Sequence, residues 1–150
     1  MDFQTHPIVC KYMVDLLPVG VVTVLEPTPG IGNLVNALSG YRVTVPLDFF
    51  DVSGCYDAVV MNPPFSPMDI GYQILDKTMG MSDIIIALMP WLTLINSKKR
   101  THDIKSYGLK SVSHLPRDVF KGSRVQTCVL EMARGYAGST AFLFPEFSLT

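Results

Sequence analysis

The feature that most constrains the fold is a set of short, nearly continuous runs of β-branched and aliphatic residues at 21–25, 57–61 and 83–89. Runs of that kind are apolar on both faces and read as strands buried inside a sheet. Segments of helical character lie between them. Ile8, Val9, Tyr12, Met13 and Leu16 recur at helical spacing, which predicts an amphipathic helix over 6–17. Thr5 is its expected N-cap, Pro7 belongs in its first turn, and Pro18 and Gly20 stop it. A helix start is read at 33–38 and a helix at 69–79. Further strands are expected at 41–45, 111–114 and 126–132. Strands alternating with helices predict an α/β fold on a parallel sheet.

The 150 residues fit one domain, 1–150, and no internal linker marks a boundary. At 48% hydrophobic and 17% charged, the chain holds a real core and is not a disordered segment. A net charge of −1 supplies no global attraction to nucleic acid, so any such binding must use local basic clusters. Cys10, Cys55 and Cys128 are scattered, with no paired or zinc-like spacing, which predicts a reduced, cytoplasmic protein without a metal site. No secretory signal is visible, and the apolar run 84–95 is too short to span a bilayer and is broken by Pro90. The tail 136–150 is Phe-rich and nearly uncharged; Phe142, Phe144 and Phe147 either bury against a second subunit or fold back onto the sheet.

Two motifs carry chemistry. The first, Glu26-Pro27-Thr28-Pro29-Gly30-Ile31-Gly32, joins the first strand to a helix. That is where an α/β sheet binds a nucleotide-like cofactor. Gly30 and Gly32 let the backbone approach a ligand, and Glu26 can bind a hydroxyl or ammonium group. Val35 stands where the dinucleotide fingerprint needs a small residue, which disfavours a dehydrogenase, and the Gly-Lys-Ser/Thr of a phosphate-binding loop is missing.

The second motif, Asn62-Pro63-Pro64-Phe65, ends the third apolar run. Two prolines fix the backbone and remove two donors, holding a side-chain amide and a carbonyl at the sheet edge with an aromatic ring directly after them. Taken alone it could be a Pro-rich turn with Asn as a cap and Phe in the core. The glycine loop upstream favours a site.

In these residues the chain resembles the S-adenosylmethionine-dependent amino-methyltransferases, in particular those of N6-adenine type with an Asn-Pro-Pro-Phe tetrad. Residues 26–32 resemble the family's cofactor motif, and Phe3-Gln4-Thr5-His6-Pro7 resembles the segment that closes over the methionine end of the cofactor. Residues 112–120 and 127–132 resemble the last part of adenine methyltransferases of restriction–modification type. The resemblance implies a Rossmann-like methyltransferase fold, mostly parallel with helices on both faces of the sheet. It implies S-adenosylmethionine held by Thr5, Pro7, Glu26, Pro27, Gly30, Gly32, Asp48 and Phe49, and catalysis by Asn62, Pro63, Pro64 and Phe65. An aromatic amine is a poor nucleophile because its lone pair is delocalised. The Asn62 oxygen and the Pro63 carbonyl can each accept an N–H, freeing that lone pair and stabilising the charge that develops. Phe65 would stack on the base, which must first leave a duplex.

The chain departs from the family in one region. Only 36 residues separate Glu26 from Asn62, where the family usually has an extra strand–helix unit ending in the acidic residue that binds the cofactor ribose. Asp48 with Phe49 resembles the adenine-contacting pair, and Asp48 could serve the ribose instead or be a turn residue. No target-recognition domain is expected, so selectivity is low or comes from a homo-oligomer or a specificity partner. Lys98, Lys99 and Arg100 after the fourth strand, and Arg117, Lys121 and Arg124 after the next, are expected in loops at the carboxyl edge. There they either neutralise phosphates or are simply solvated. Trp91 lines the cleft or packs in the core, and His6, His102 and His114 have no evident partner. The reading is methyl transfer to adenine N6 in DNA. RNA adenine or guanine N2, a protein glutamine, and a non-catalytic subunit of the same fold are the alternatives.

Overall fold

The computed structural model describes residues 5–28, 32–64, 68–120 and 125–148, the side chains of Met68 and Phe120 excepted. In chain order the elements are α1 (Pro7–Asp15), β1 (Thr23–Leu25), α2 (Asn33–Ala37), β2 (Arg42–Thr44), β3 (Ala58–Met61), α3 (Met68–Thr78), β4 (Ile84–Pro90), α4 (Leu92–Ile95), α5 (Lys98–Tyr107), β5 (Leu109–His114), β6 (Thr127–Ala133) and β7 (Ala141–Leu143). Two 3-10 turns, Phe49–Asp51 and Arg117–Phe120, complete them. The sheet runs β2-β1-β3-β4-β6-β5-β7.

The apolar runs became the centre of this sheet. β3 is buried along its whole length, and β4 is buried from Ile85 onward. Every neighbouring pair is parallel except those made by β6, which runs against both β4 and β5. Between β5 and β6 the described residues hold a 3-10 turn and no crossover helix, and a parallel return would require such a crossover. The sheet is mostly parallel, as expected, with β6 its one antiparallel strand.

Helices cover both faces. On one, Val9, Cys10 and Met13 of α1 and Leu34 of α2 pack on Val24, Val60, Ile86, Leu88 and Val129. On the other, Ile74 and Leu75 of α3 and Ile104 and Tyr107 of α5 pack on Leu25, Val59, Met61, Ile85 and Leu130. Each aliphatic side chain buried in this way contributes about 1.5–3 kcal/mol.

Several boundaries differ from the sequence reading for local reasons. The cap of α1 is His6, whose Nδ1 accepts from the Ile8 N–H at 3.1 Å, not Thr5. β1 starts at Thr23 because the Asp57 carboxylate takes the N–H groups of Val22 and Thr23, both at 2.9 Å. The residues expected in a basic loop after β4 are the first turn of α5, capped by the Ser97 hydroxyl on the Arg100 N–H at 3.3 Å. This helix buries only Ile104 and Tyr107, too little for a periodic signal. Gly108 ends it with φ +133°, where an added Cβ would meet the Ala133 carbonyl oxygen at 2.0 Å.

The tail folds back onto its own sheet. β7 pairs with β5, and Phe147 packs edge-on against Tyr12 at 5.6 Å. Phe142 and Phe144 stay largely exposed. Between β2 and β3 the only element among the described residues is the 3-10 turn Phe49–Asp51, with no strand–helix unit there.

Candidate active site

Chain order reverses between β1 and β3: β1 leads outward through α2 to β2, and β3 leads the other way to β4. A crevice forms at the carboxyl ends of strands at such a switch point. Glu26 directly follows β1 and Asn62 directly follows β3, so both motifs arrive there.

Glu26 is fully buried. Its Oε1 accepts from the Thr28 N–H at 2.7 Å and from the Thr28 hydroxyl at 3.4 Å. Its Oε2 has no partner among the described residues. Burial raises the carboxyl pKa to about 8, against the opposing pull of the Thr28 bonds. Cys10 lies close enough to feel this charge, and burial together with Glu26 pushes its thiol to about 12. It is therefore no nucleophile at neutral pH. A buried carboxyl oxygen without a donor fits a ligand that brings an ammonium or hydroxyl group, as S-adenosylmethionine does.

Around Asn62 the contacts are tighter. Its Nδ2 donates to the Thr5 hydroxyl. The carbonyl of the buried Thr5 accepts from Asn33 Nδ2 at 2.8 Å and from the Cys10 thiol at 3.6 Å. Three segments, those before α1, at the start of α2 and after β3, thus meet at one threonine. Pro63 is buried and Pro64 half-buried. They pack against Gly71 of α3, where an added Cβ would stand 3.1 Å from the Pro64 carbonyl oxygen and 3.7 Å from Pro63 Cγ. From the sequence, Thr5 is expected only as a cap and cofactor contact, and neither Asn33 nor Gly71 is expected at the site. A glycine inside a helix is the signal that could have found Gly71.

Other expected site residues are placed as follows. Pro7 is exposed in the first turn of α1, and Pro27 is buried beside Glu26. Gly32 precedes α2 with φ +96°, a conformation that demands glycine. Asp48 is exposed, and its Oδ1 accepts from the Phe50 N–H at 2.9 Å. Phe49 lies in the core, 6% exposed, with Lys77 Nζ 4.8 Å from its ring centroid. Lys77 also donates to the carbonyls of Phe49 and Phe50 at 2.9 and 2.8 Å, pinning this turn to α3. The structure does not bring the Asp48–Phe49 pair into the Thr5 network. Gly30, Phe65, Lys121 and Arg124 lie outside the described residues, as do Phe3 and Gln4.

Two of the basic residues are already engaged. Lys99 pairs with Asp103 at 2.6 Å, and Arg100 pairs with Asp69 at 2.6 Å with its guanidinium 4.5 Å from the Tyr72 ring centroid. Lys98 is exposed. Arg117 faces the Gln126 amide, whose oxygen, turned toward it, accepts from Nε at 2.5 Å and from Nη2 at 3.2 Å. Trp91 follows β4, half-buried, and its ring stacks on Phe142 at 6.0 Å. His114, for which the sequence suggests no partner, stands between Trp91 at 6.2 Å and Phe144 at 6.0 Å. Among the described residues no three metal-ligating side chains converge, and no helix is long and apolar enough to cross a membrane.

No protein-family model and no curated protein matches the sequence. Solved structures superpose on most of the chain. One from Vibrio vulnificus, described as a modification subunit of a type I restriction enzyme, has a TM-score of 0.73 at 16% identity, over 99% of this chain and 48% of its own. The type I restriction–modification methyltransferase subunit from Streptococcus thermophilus gives 0.72 at 16% identity, over 95% and 47%. A Listeria monocytogenes protein, described as a class I S-adenosylmethionine-dependent methyltransferase, gives 0.67 at 14% identity, over 91% and 64%. The chain spans about half the length of the first two. Its fold is the Rossmann-like fold of S-adenosylmethionine-dependent methyltransferases.

Proposed function

We propose that the chain is an S-adenosylmethionine-dependent methyltransferase acting on an exocyclic amine, the N6 of adenine in DNA. The observation that carries this reading is the Asn62 amide, held by Thr5 at the end of β3 across the switch point from the buried, half-satisfied Glu26. Bound S-adenosylmethionine would supply an activated methyl group. Glu26 binds its ammonium or a hydroxyl, and Pro27 and Gly32 shape the space around it. With Nδ2 committed to Thr5, Asn62 turns Oδ1 outward as an acceptor. Together with the Pro63 carbonyl it takes both protons of the target amine as hydrogen bonds, which draws the nitrogen toward tetrahedral geometry. These fixed acceptors also stabilise the cationic nitrogen formed as its lone pair takes the methyl group, and that nitrogen then loses one proton to water.

Lys98 and Arg117, with Lys99 and Arg100 exchanging their carboxylates for phosphates, bind the nucleic-acid backbone. Exposed ion pairs are worth at most about 1 kcal/mol, so the exchange costs little. DNA is favoured over RNA by the likeness to restriction–modification subunits. The test is transfer of labelled methyl to a panel of DNA, RNA and protein, with identification of the product nucleoside. Label in N6-methyladenine from DNA supports the reading. Label in guanine or glutamine moves the substrate, and no transfer with intact cofactor binding makes the chain a non-catalytic subunit.

A further inference from the structure

We propose that Thr5 is a positioning residue for the transfer step: its hydroxyl anchors the Asn62 amide through Nδ2, so that Oδ1 is held toward the target amine. This rests on the reading of Asn62 given above. A primary amide has two faces of opposite character, an acceptor oxygen and a donor nitrogen. Turned the wrong way, Asn62 would present N–H groups to an amine and repel the substrate's own donors. Orientation therefore has to be set by something other than the substrate.

The Thr5 hydroxyl accepts from Asn62 Nδ2, which leaves Oδ1 for the crevice. Thr5 is itself 3% exposed and cannot drift, because its carbonyl takes Asn33 Nδ2 at 2.8 Å and the Cys10 thiol at 3.6 Å. Gly71 holds the other side, with α3 packed against Pro63 and Pro64. The segment before α1, α2 and the end of β3 are thereby locked to one another at the amide that meets the substrate. The hydroxyl that would otherwise touch the cofactor has its main partner in the protein.

The test compares Thr5→Val, which keeps the shape and removes the hydroxyl, with Thr5→Ser, which keeps the hydroxyl. In the Val variant the Asn62 amide loses this anchor and turns freely. The expected result is a loss of about a hundredfold in kcat, with the KM for S-adenosylmethionine within about threefold of wild type. Thr5→Ser recovers most of that loss. A merely structural role would lower stability and active fraction without this kcat-against-KM split. Independently of activity, the side-chain amide protons of Asn62, assigned in an NMR spectrum by their loss in Asn62→Ala, exchange slowly in wild type and Thr5→Ser and quickly in Thr5→Val. Fast exchange in wild type, or full kcat in folded Thr5→Val while Asn62→Ala is inactive, overturns the proposal. An active Asn62→Ala overturns the underlying reading instead.

Discussion

The two residues at the switch point differ in charge and in partners. Asn62 is neutral and half-buried, and its bond from Nδ2 to Thr5 holds it as an acceptor. Asn62→Ala is therefore expected to lower kcat by at least about a hundredfold, with cofactor affinity, measured by calorimetry, nearly unchanged. Glu26 is ionisable and only half satisfied, and burial raises its pKa to about 8. A carboxyl whose folded pKa exceeds its unfolded value holds its proton in the folded state over the window between them. Its contribution to stability is full below about pH 4.5 and is lost as pH rises to about 8. Glu26→Gln cannot ionise. It should melt higher than wild type at pH 8.5, by about 1 kcal/mol or a few degrees, and lose that advantage near pH 5. The same variant should bind S-adenosylmethionine poorly, because a neutral amide cannot pair with the ligand's ammonium. Equal melting of the two proteins at pH 8.5 would show that Glu26 is not strained in the ligand-free chain.

Among the elements, α3 and α5 decide how the site is presented. α3 begins next to the tetrad and presses Gly71 on it, and Asp69 in its first turn takes Arg100 from α5. Gly71→Ala places a methyl 3.1 Å from the Pro64 carbonyl oxygen. The better helix propensity of alanine, about 1 kcal/mol, offsets a comparable packing cost. Stability should change little, while kcat falls as the tetrad shifts; wild-type kcat would show that α3 does not set the tetrad's position. Neutralising Lys98, Lys99 and Arg100 together should flatten the dependence of log K on log salt by about one unit for each phosphate that is no longer neutralised. An unchanged slope would leave these residues as helix-surface ion pairs alone. β1 to β6 and α1 were legible because burial writes itself into runs or periods of apolar residues; β7, exposed along its length, was not. α5 was not, because Ile104 and Tyr107 alone anchor it. The antiparallel course of β6 was also invisible: a buried strand carries the same residues in either direction.

At the scale of the whole molecule, two motifs far apart in sequence follow adjacent strands, β1 and β3, where the sheet reverses its order. That much was readable from a glycine loop and a proline tetrad that each follow an apolar run. The Thr5 contacts were not, since a hydrogen bond between residues 57 positions apart leaves no local pattern. The tail likewise gave two options; β7 pairs with β5, and Phe142 and Phe144 stay exposed. The shortened stretch between β2 and β3 leaves Asp48 exposed and Phe49 in the core, so cofactor affinity should rest mainly on Glu26 and its loop. The proposed reaction is transfer of a methyl group to an adenine amine. The direct measurement is incubation of the purified chain, and of its Asn62→Ala variant, with labelled S-adenosylmethionine and mixed-sequence DNA, followed by digestion and separation of the nucleosides. Label in N6-methyladenine with wild type and none with the variant is the predicted result. Label on any other acceptor, or equal label with both proteins, would contradict it.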